Sequence, residues 1–321
     1  MLYIMKKLFI ATLAIAALAS CNKDQVINFD KSPINFGDAF VDNATKAIYE
    51  DGDDITGFTV WGNVKGTNAT SVALYGDTGA TVTRGGAALG AAWTCSVTRY
   101  WTPNCTYNFA AIANSTAVVC ENGIPTKISY TVNPTDPADL IYSGNVTATT
   151  DANSEPTSGV NENNVVAFTM KHLLSRIKVS FVNLNNSADY TYDVSAVQIS
   201  TWDKGIYTID ADTPWAQDGT GSANLTYGTL TGLTYNVATS AGAQLIIPGA
   251  AATLKFHYVL KFNGTEVYST DVTKELTTPS FAEGCSYNLA VQLKAGNKID
   301  FTIAAENGLA GWGDDTNVTV Q

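Results

Sequence analysis

The sequence predicts an all-β protein, and three observations point there. Apolar and polar residues alternate with a period of two in several runs, and turn-forming residues separate those runs. Thr, Asn, Gly, Ala, Val and Tyr abound, whereas long helix-favouring stretches of Glu, Lys, Leu and Arg are missing. Leu254, Phe256, Tyr258, Leu260 and Phe262 alternate with Lys255, His257, Val259 and Lys261, so one side of the segment faces inward. Tyr287, Leu289, Val291 and Leu293 repeat the pattern, as do Ile177, Val179 and Phe181, and Ile299, Phe301 and Ile303. Asn263-Gly264, Asp218-Gly219, Ala295-Gly296-Asn297 and Glu283-Gly284 supply turns. Antiparallel sandwich sheets are the natural result.

The chain opens on a different kind of segment. Lys6 and Lys7 precede an apolar stretch, Leu8 to Ala19, that is too short for a permanent membrane span and ends in Leu18-Ala19-Ser20-Cys21. Residues 1–20 read as a lipoprotein signal peptide and Cys21 as the lipidated residue. Each buried methylene of an acyl chain contributes about 0.8 kcal/mol, so several chains on Cys21 would anchor the precursor firmly in a membrane. The formal charge is −11. Removing Lys6 and Lys7 with the leader leaves 16 of the 18 basic residues against 29 acidic ones, or −13. Such a surface repels phosphate backbones, which argues against nucleic acid as a partner.

Residues 21–46 follow as a segment of their own. Val26-Ile27-Asn28-Phe29 and Ile34-Asn35-Phe36 alternate like strand residues, and Val41 to Ala47 form a small, polar stretch around the single basic residue Lys46. The pattern reads as a strand followed by a cleavable loop. The remaining chain divides near residue 160, giving domains at 47–160 and 161–321. Thr147 to Asn164 is rich in Thr, Asn, Ser, Glu and Gly and reads as an exposed connection. Val165 to Phe181 then offers two strand-like runs around a short turn of helical character.

Chemistry-bearing patterns are sparse. His172 and His257 lack the i, i+4 partner that a zinc helix needs. Gly85-Gly86-Ala87-Ala88-Leu89-Gly90 lacks the Lys-Ser/Thr of a phosphate loop, and Asp51-Gly52-Asp53-Asp54 and Asp314-Asp315 do not have calcium-loop spacing. No catalytic residue, metal set or cofactor is predicted. Cys95, Cys105, Cys120 and Cys285 leave isolated thiols, disulfides and metal binding open. Trp93, Tyr100, Trp101, Trp202 and Trp215 read either as core aromatics or as a sugar-stacking platform, with Trp101 and Trp215 the candidate glycan contacts.

Several segments, in order, resemble the fimbrillin family of Bacteroidales, the subunits of protease-assisted type V pili. They are Ala39 to Asp42 with Thr45-Lys46-Ala47, Tyr107 to Ala113, Phe168 to Ile177, Leu245 to Gly249, and Phe281, Glu283, Gly284, Tyr287 and Leu289, with the lipidation pattern ahead and Trp312 near the end. The resemblance implies two tandem β-sandwich domains of transthyretin-like, Greek-key type and no enzymatic activity. It also implies an outer-membrane lipoprotein precursor that a trypsin-like protease cuts between Lys46 and Ala47, freeing a stalk or tip subunit for the cell-surface fimbrium. In such a family the cut removes the first strand, and a terminal strand of a neighbouring subunit fills the exposed groove. Ile34 and Phe36 are then the residues that plug the groove before cleavage, and Val318 and Val320 mark the candidate donor strand. The partners implied are other fimbrial subunits, the protease, and a host or bacterial surface ligand. One departure stands out: the best-known members are cut after arginine, where this chain has Lys46. A chain left uncut would be a permanently lipid-anchored surface lipoprotein, a fimbrial anchor or glycan-binding protein.

Overall fold

The computed structural model describes residues 32–41, 55–86, 92–135, 138–276 and 281–306. Among these residues the chain forms strands, turns and loops, with no helix. The strands begin with β1 (Asn35–Val41), β2 (Gly57–Gly66), β3 (Val72–Ala73), β4 (Ala80–Arg84), β5 (Trp93–Cys95) and β6 (Cys105–Ala113). Next come β7 (Ala117–Glu121), β8 (Ile124–Thr131), β9 (Ile141–Thr150), β10 (Pro156–Ser158) and β11 (Val165–His172). β12 (Ser175–Asn183), β13 (Tyr190–Trp202), β14 (Lys204–Thr208), β15 (Trp215–Gln217), β16 (Ser222–Thr226) and β17 (Leu230–Leu233) follow. β18 (Ala238–Ile246), β19 (Ala252–Phe262), β20 (Thr265–Leu276), β21 (Ser286–Lys294) and β22 (Lys298–Ala305) complete the described chain.

They form four sheets. The largest runs β1-β11-β9-β6-β2-β4-β5, with β3 on β2 and β10 on β9. A second runs β18-β12-β21-β22, a third β16-β13-β19-β20 with β17 on β13, and a fourth β15-β14-β8-β7. The second and third sheets share one core, in which Phe181 of β12 meets Phe256 of β19 edge-on at 5.1 Å between ring centroids. The long predicted alternations are the strands of this core: Leu254, Phe256 and Tyr258, and Leu289, Val291 and Leu293, are all buried.

β6 explains how the largest sheet joins the rest. Phe109 to Ala113 is buried throughout. Phe109, Ala111 and Ala113 face the core beneath β1, whereas Ala110 and Ile112 face the core containing Ile128 and Tyr130 of β8. A strand covered on both faces loses its alternation and reads as a continuous apolar run, here made of small residues. The fourth sheet mixes early and late chain, because β8 pairs with β14 from Thr131↔Lys204 to Lys127↔Thr208.

The turn Asn263-Gly264 is as the sequence predicts. Phe262 pairs with Thr265, and both turn residues have left-handed φ of 46° and 79°, the requirement of a two-residue hairpin that follows the twist of its strands. Two expectations differ. The connection expected over Thr147 to Asn164 is only partly a connection: Thr147 to Thr150 end β9, and Pro156–Ser158 forms β10. The turn between them closes on Asp151, whose Oδ1 accepts the backbone N–H groups of Asn153 at 2.7 Å and Glu155 at 3.0 Å. Hydroxyls of Thr149, Thr157 and Ser158 bond to one another, so polar composition here marks a solvated sheet face. Near the expected domain boundary at 160, the chain passes from the largest sheet to the second after His172. β11 pairs with β1 and β9, β12 begins the second sheet, and Leu173 and Leu174 between them are fully buried without helical turns.

Candidate functional site

The strand upstream of the predicted cleavage position has two flanks and both are occupied. On one side Asn35–Val41 pairs in parallel with β11, with Asn35↔Val165 and Val41↔Met170 in register apart from a shift between Gly37 and Phe40. On the other side the Ile34 N–H donates to the Arg99 carbonyl at 2.8 Å, the Trp101 N–H donates to the Ser32 carbonyl at 3.2 Å, and Pro33 pairs with Tyr100. The segment therefore fills a seam between β11 and the chain around Tyr100. Its passage is tight: a Cβ on Gly37 would lie 3.0 Å from Val165 Cγ1 and 3.5 Å from Trp93 Cδ1.

Alternation turns Ile34 and Phe36 inward, at 3% and 4% exposure, while Pro33 and Asn35 face out. The Phe36 ring stacks on Phe168 of β11 at 5.8 Å and meets Phe109 of β6 edge-on at 5.5 Å and Tyr75 at 6.0 Å. Burial pushes the Tyr75 phenol well above its ordinary pKa, against the Arg99 guanidinium that sits 5.9 Å over its ring. The Tyr107 hydroxyl accepts the Thr102 N–H at 2.6 Å; burial raises its pKa too, against these hydrogen bonds. Tyr75 Oη and Trp101 Nε1 are buried with no hydrogen-bond partner among the described residues. The site thus holds an extended segment by ladder hydrogen bonds on both flanks and by two apolar side chains set into an aromatic core.

Of the residues singled out by sequence, the structure brings Ile34 and Phe36 together here with Tyr100 and Trp101. Cys21, Lys46, Ala47, Val318 and Val320 lie outside the described residues. The glycan platform is corrected at Trp101: the ring is 2% exposed and packs edge-on against Tyr107 at 4.8 Å, which leaves no open face for a sugar. Trp215 is half-buried against a different core; its ring meets Tyr207 edge-on at 5.4 Å and its N–H donates to the Leu173 carbonyl at 3.0 Å. The two tryptophans share no surface.

None of Cys95, Cys105, Cys120 and Cys285 forms a disulfide. Cys95 Sγ donates to the Val97 carbonyl at 3.3 Å, and burial with Asp77 nearby pushes the Cys120 thiol up to about 11. His172 pairs with buried Asp139, and His257 with exposed Asp271 at 2.8 Å. Among the described residues no three His, Cys, Asp or Glu side chains stand close enough to hold a metal. Sequence reasoning missed Tyr75 and Arg99 on the far wall of the seam, and named Tyr100 only as a core or sugar-stacking aromatic. Their signal is spatial, because each becomes part of the site only through β1.

No curated protein matches the chain. Among solved structures, a fimbrial protein from Bacteroides vulgatus ATCC 8482 is similar at 16% identity and a TM-score of 0.53, covering 78% of this chain and 92% of that one. A candidate cell adhesion protein from Bacteroides uniformis ATCC 8492 is similar at 14% identity and 0.48, covering 78% and 91%. Another from Bacteroides ovatus ATCC 8483 is similar at 16% identity and 0.46, covering 86% and 96%. At such identities the first of these likenesses is one of fold. The profile of the Fimbrillin-like family matches residues 42–307, most of the chain, and the chain belongs to that family.

Proposed function

We infer that the chain is a structural and adhesive subunit of a cell-surface fimbria, built of two tandem β-sandwich domains and exported as an outer-membrane lipoprotein acylated on Cys21. Proteolysis after Lys46 releases it from the lipid, removes the segment that contains β1, and leaves a groove for a strand of a neighbouring subunit. The observation that carries this reading is the seating of Ser32 to Val41 between β11 and Tyr100, with Ile34 and Phe36 in the core. Cutting the chain beyond this strand leaves it held by noncovalent contacts alone. Its departure would bare Phe109, Phe168 and Tyr75 together with two unpaired backbone edges, and such an edge strongly favours an added strand. Val318 and Val320 alternate as an incoming strand requires. Family membership and the fold likeness to a fimbrial protein support the same class.

Intact mass and N-terminal sequencing of the protein recovered from cell surfaces test the reading. A lipid-free chain beginning at Ala47, found in higher assemblies, is the expected result. An acylated chain beginning at Cys21, without assemblies, would sink the polymer reading and leave a standing surface lipoprotein.

A further inference from the structure

Two polar groups that line the seam have nothing to bond to. Tyr75 Oη and Trp101 Nε1 are buried without a hydrogen-bond partner among the described residues, in side chains that belong to residues 6% and 2% exposed. A buried donor left unpaired forfeits its bond to water and regains nothing. Neighbouring groups do not make up the deficit at Tyr75. The Cys95 thiol donates to the Val97 carbonyl at 3.3 Å, and the Tyr107 hydroxyl is engaged by the Thr102 N–H at 2.6 Å and by Thr102 Oγ1 at 2.5 Å. Arg99 turns its Nε to the Leu74 carbonyl at 2.7 Å and lies over the Tyr75 ring.

Both unpaired groups border the segment seated in the seam. Pro33 pairs with Tyr100, the Ile34 N–H donates to the Arg99 carbonyl and the Trp101 N–H to the Ser32 carbonyl. In such a ladder Ile34, Arg99 and Trp101 share one face, with Arg99 opposite Ile34 and Trp101 on the diagonal. Arg99 in turn covers Tyr75, and Tyr75 meets Phe36 edge-on at 6.0 Å. Ile34 is thus the inward position next to both, and its side chain, like that of Phe36, offers only carbon. The seated segment fills the groove's apolar volume and leaves its polar groups unanswered.

We propose that Tyr75 and Trp101 select the strand this groove takes up: an extended peptide segment that places a hydroxyl or amide side chain, Thr, Ser, Asn or Gln, at the Ile34 position to accept from them. The proposal rests on the strand-exchange reading above and adds to it the chemistry of the incoming strand. Ladder hydrogen bonds are common to either occupant and cancel in the comparison, so discrimination falls to the inward side chains. A site built around hydrogen-bonding groups rejects an occupant that leaves them unpaired, which makes the resident segment a placeholder that a polar strand displaces. A carboxylate at the same position would bear the larger desolvation cost of a buried charge.

The test is a double-mutant cycle in the full-length chain, read by urea unfolding, with Tyr75→Phe, Ile34→Thr, Ile34→Gln and each Ile34 variant combined with Tyr75→Phe. Tyr75→Phe alone is expected to raise the folding equilibrium constant about fivefold or more, because it deletes an unpaired hydroxyl and keeps the ring. At least one Ile34 variant is expected to be about fivefold less harmful beside Tyr75 than in the Tyr75→Phe background. Lower stability on Tyr75→Phe would show that the hydroxyl is already bonded, and no coupling for either Ile34 variant would show that no strand side chain reaches it. Either result overturns the proposal, and neither depends on cleavage at Lys46. Peptides of residues 32–41, unaltered and with the same Ile34 changes, repeat the comparison by calorimetry on the processed chain recovered from cells. Binding of no peptide at all would sink the exchange reading and the proposal with it. Binding with the same order of affinities in the processed chain and its Tyr75→Phe variant would overturn the proposal alone.

Discussion

Phe36 is the side chain that ties the N-terminal strand to the aromatic core, through Phe168, Phe109 and Tyr75. Truncating a buried phenylalanine to alanine costs about 3–5 kcal/mol. Phe36→Ala should therefore lower the thermal midpoint of the full-length precursor. Across the cut its effect should vanish, because a chain beginning at Ala47 no longer contains the ring. Equal midpoints for variant and unaltered precursors would show that β1 contributes nothing to the fold. Ile34 and Phe36 were legible in the sequence because alternation with Pro33 and Asn35 is local, whereas Trp101 was not, because composition alone does not separate a core ring from a surface one. The thiols were open for the same reason: disulfide pairing depends on distances between segments far apart in the chain. At Cys120 the structure makes a specific statement. With its pKa pushed up to about 11, the reactive thiolate at pH 8 is on the order of one part in a thousand. Alkylation by iodoacetamide, followed by peptide mass, should be at least about tenfold slower at Cys120 than for free cysteine at pH 8 and should accelerate as pH rises toward 11. A rate matching free cysteine would remove the partial burial of Cys120.

At the scale of elements, hairpins were readable and distant pairings were not. Asn263-Gly264 announces its turn through two residues that tolerate left-handed φ. The parallel pairing of β1 with β11 has no such signature, since nothing between them forms a turn that brings them together. β22 is held in a way the sequence also hides. Its end is pinned by Glu306, whose carboxylate accepts from Arg176 Nη1 at 2.9 Å, Lys178 Nζ at 3.1 Å and Ser286 Oγ at 2.9 Å. Glu306 and Arg176 are largely shielded from water and Lys178 about a third exposed, so the group is worth more than a surface pair. Glu306→Gln keeps the shape and loses the charge, and the expected cost is about 1–3 kcal/mol. Because the pin sits where the chain leaves β22, amide exchange should quicken first in Lys298–Ala305, ahead of β21. Unchanged protection along β22 would show that the ladder with β21 alone sets its stability.

The whole molecule is tied together across the boundary that composition suggests. A polar, glycine-containing stretch before Val165 looks like a linker, yet β11 beyond it completes the largest sheet by joining β9 and β1. In the other direction, β8, with β7 on its outer edge, leaves the early chain to pair with β14, and Ile128 and Tyr130 enter the core of the late chain. Residue composition reports solvation, and a solvated strand face looks the same as a loop, so composition points to 160 and is silent on the crossing at Leu173 and Leu174. The crossing is itself bonded into both parts: the Leu173 N–H donates to the Leu140 carbonyl at 2.9 Å, its carbonyl accepts the Trp215 indole, and the Gly284 N–H donates to the Leu174 carbonyl at 2.9 Å. Separate expression of residues 47–160 and 161–321 should therefore give two chains without cooperative unfolding. The first would expose Ile128 and Tyr130 and lack β11, and the second would carry β11 and β14 with neither of their partners in the early chain. Mixing the two should restore a single transition, because every missing neighbour except β1 is then supplied in trans. Calorimetry decides the matter: cooperative transitions in both halves alone would mean that the shared sheet and the β11 pairing are dispensable, and the two parts would then behave as independent domains.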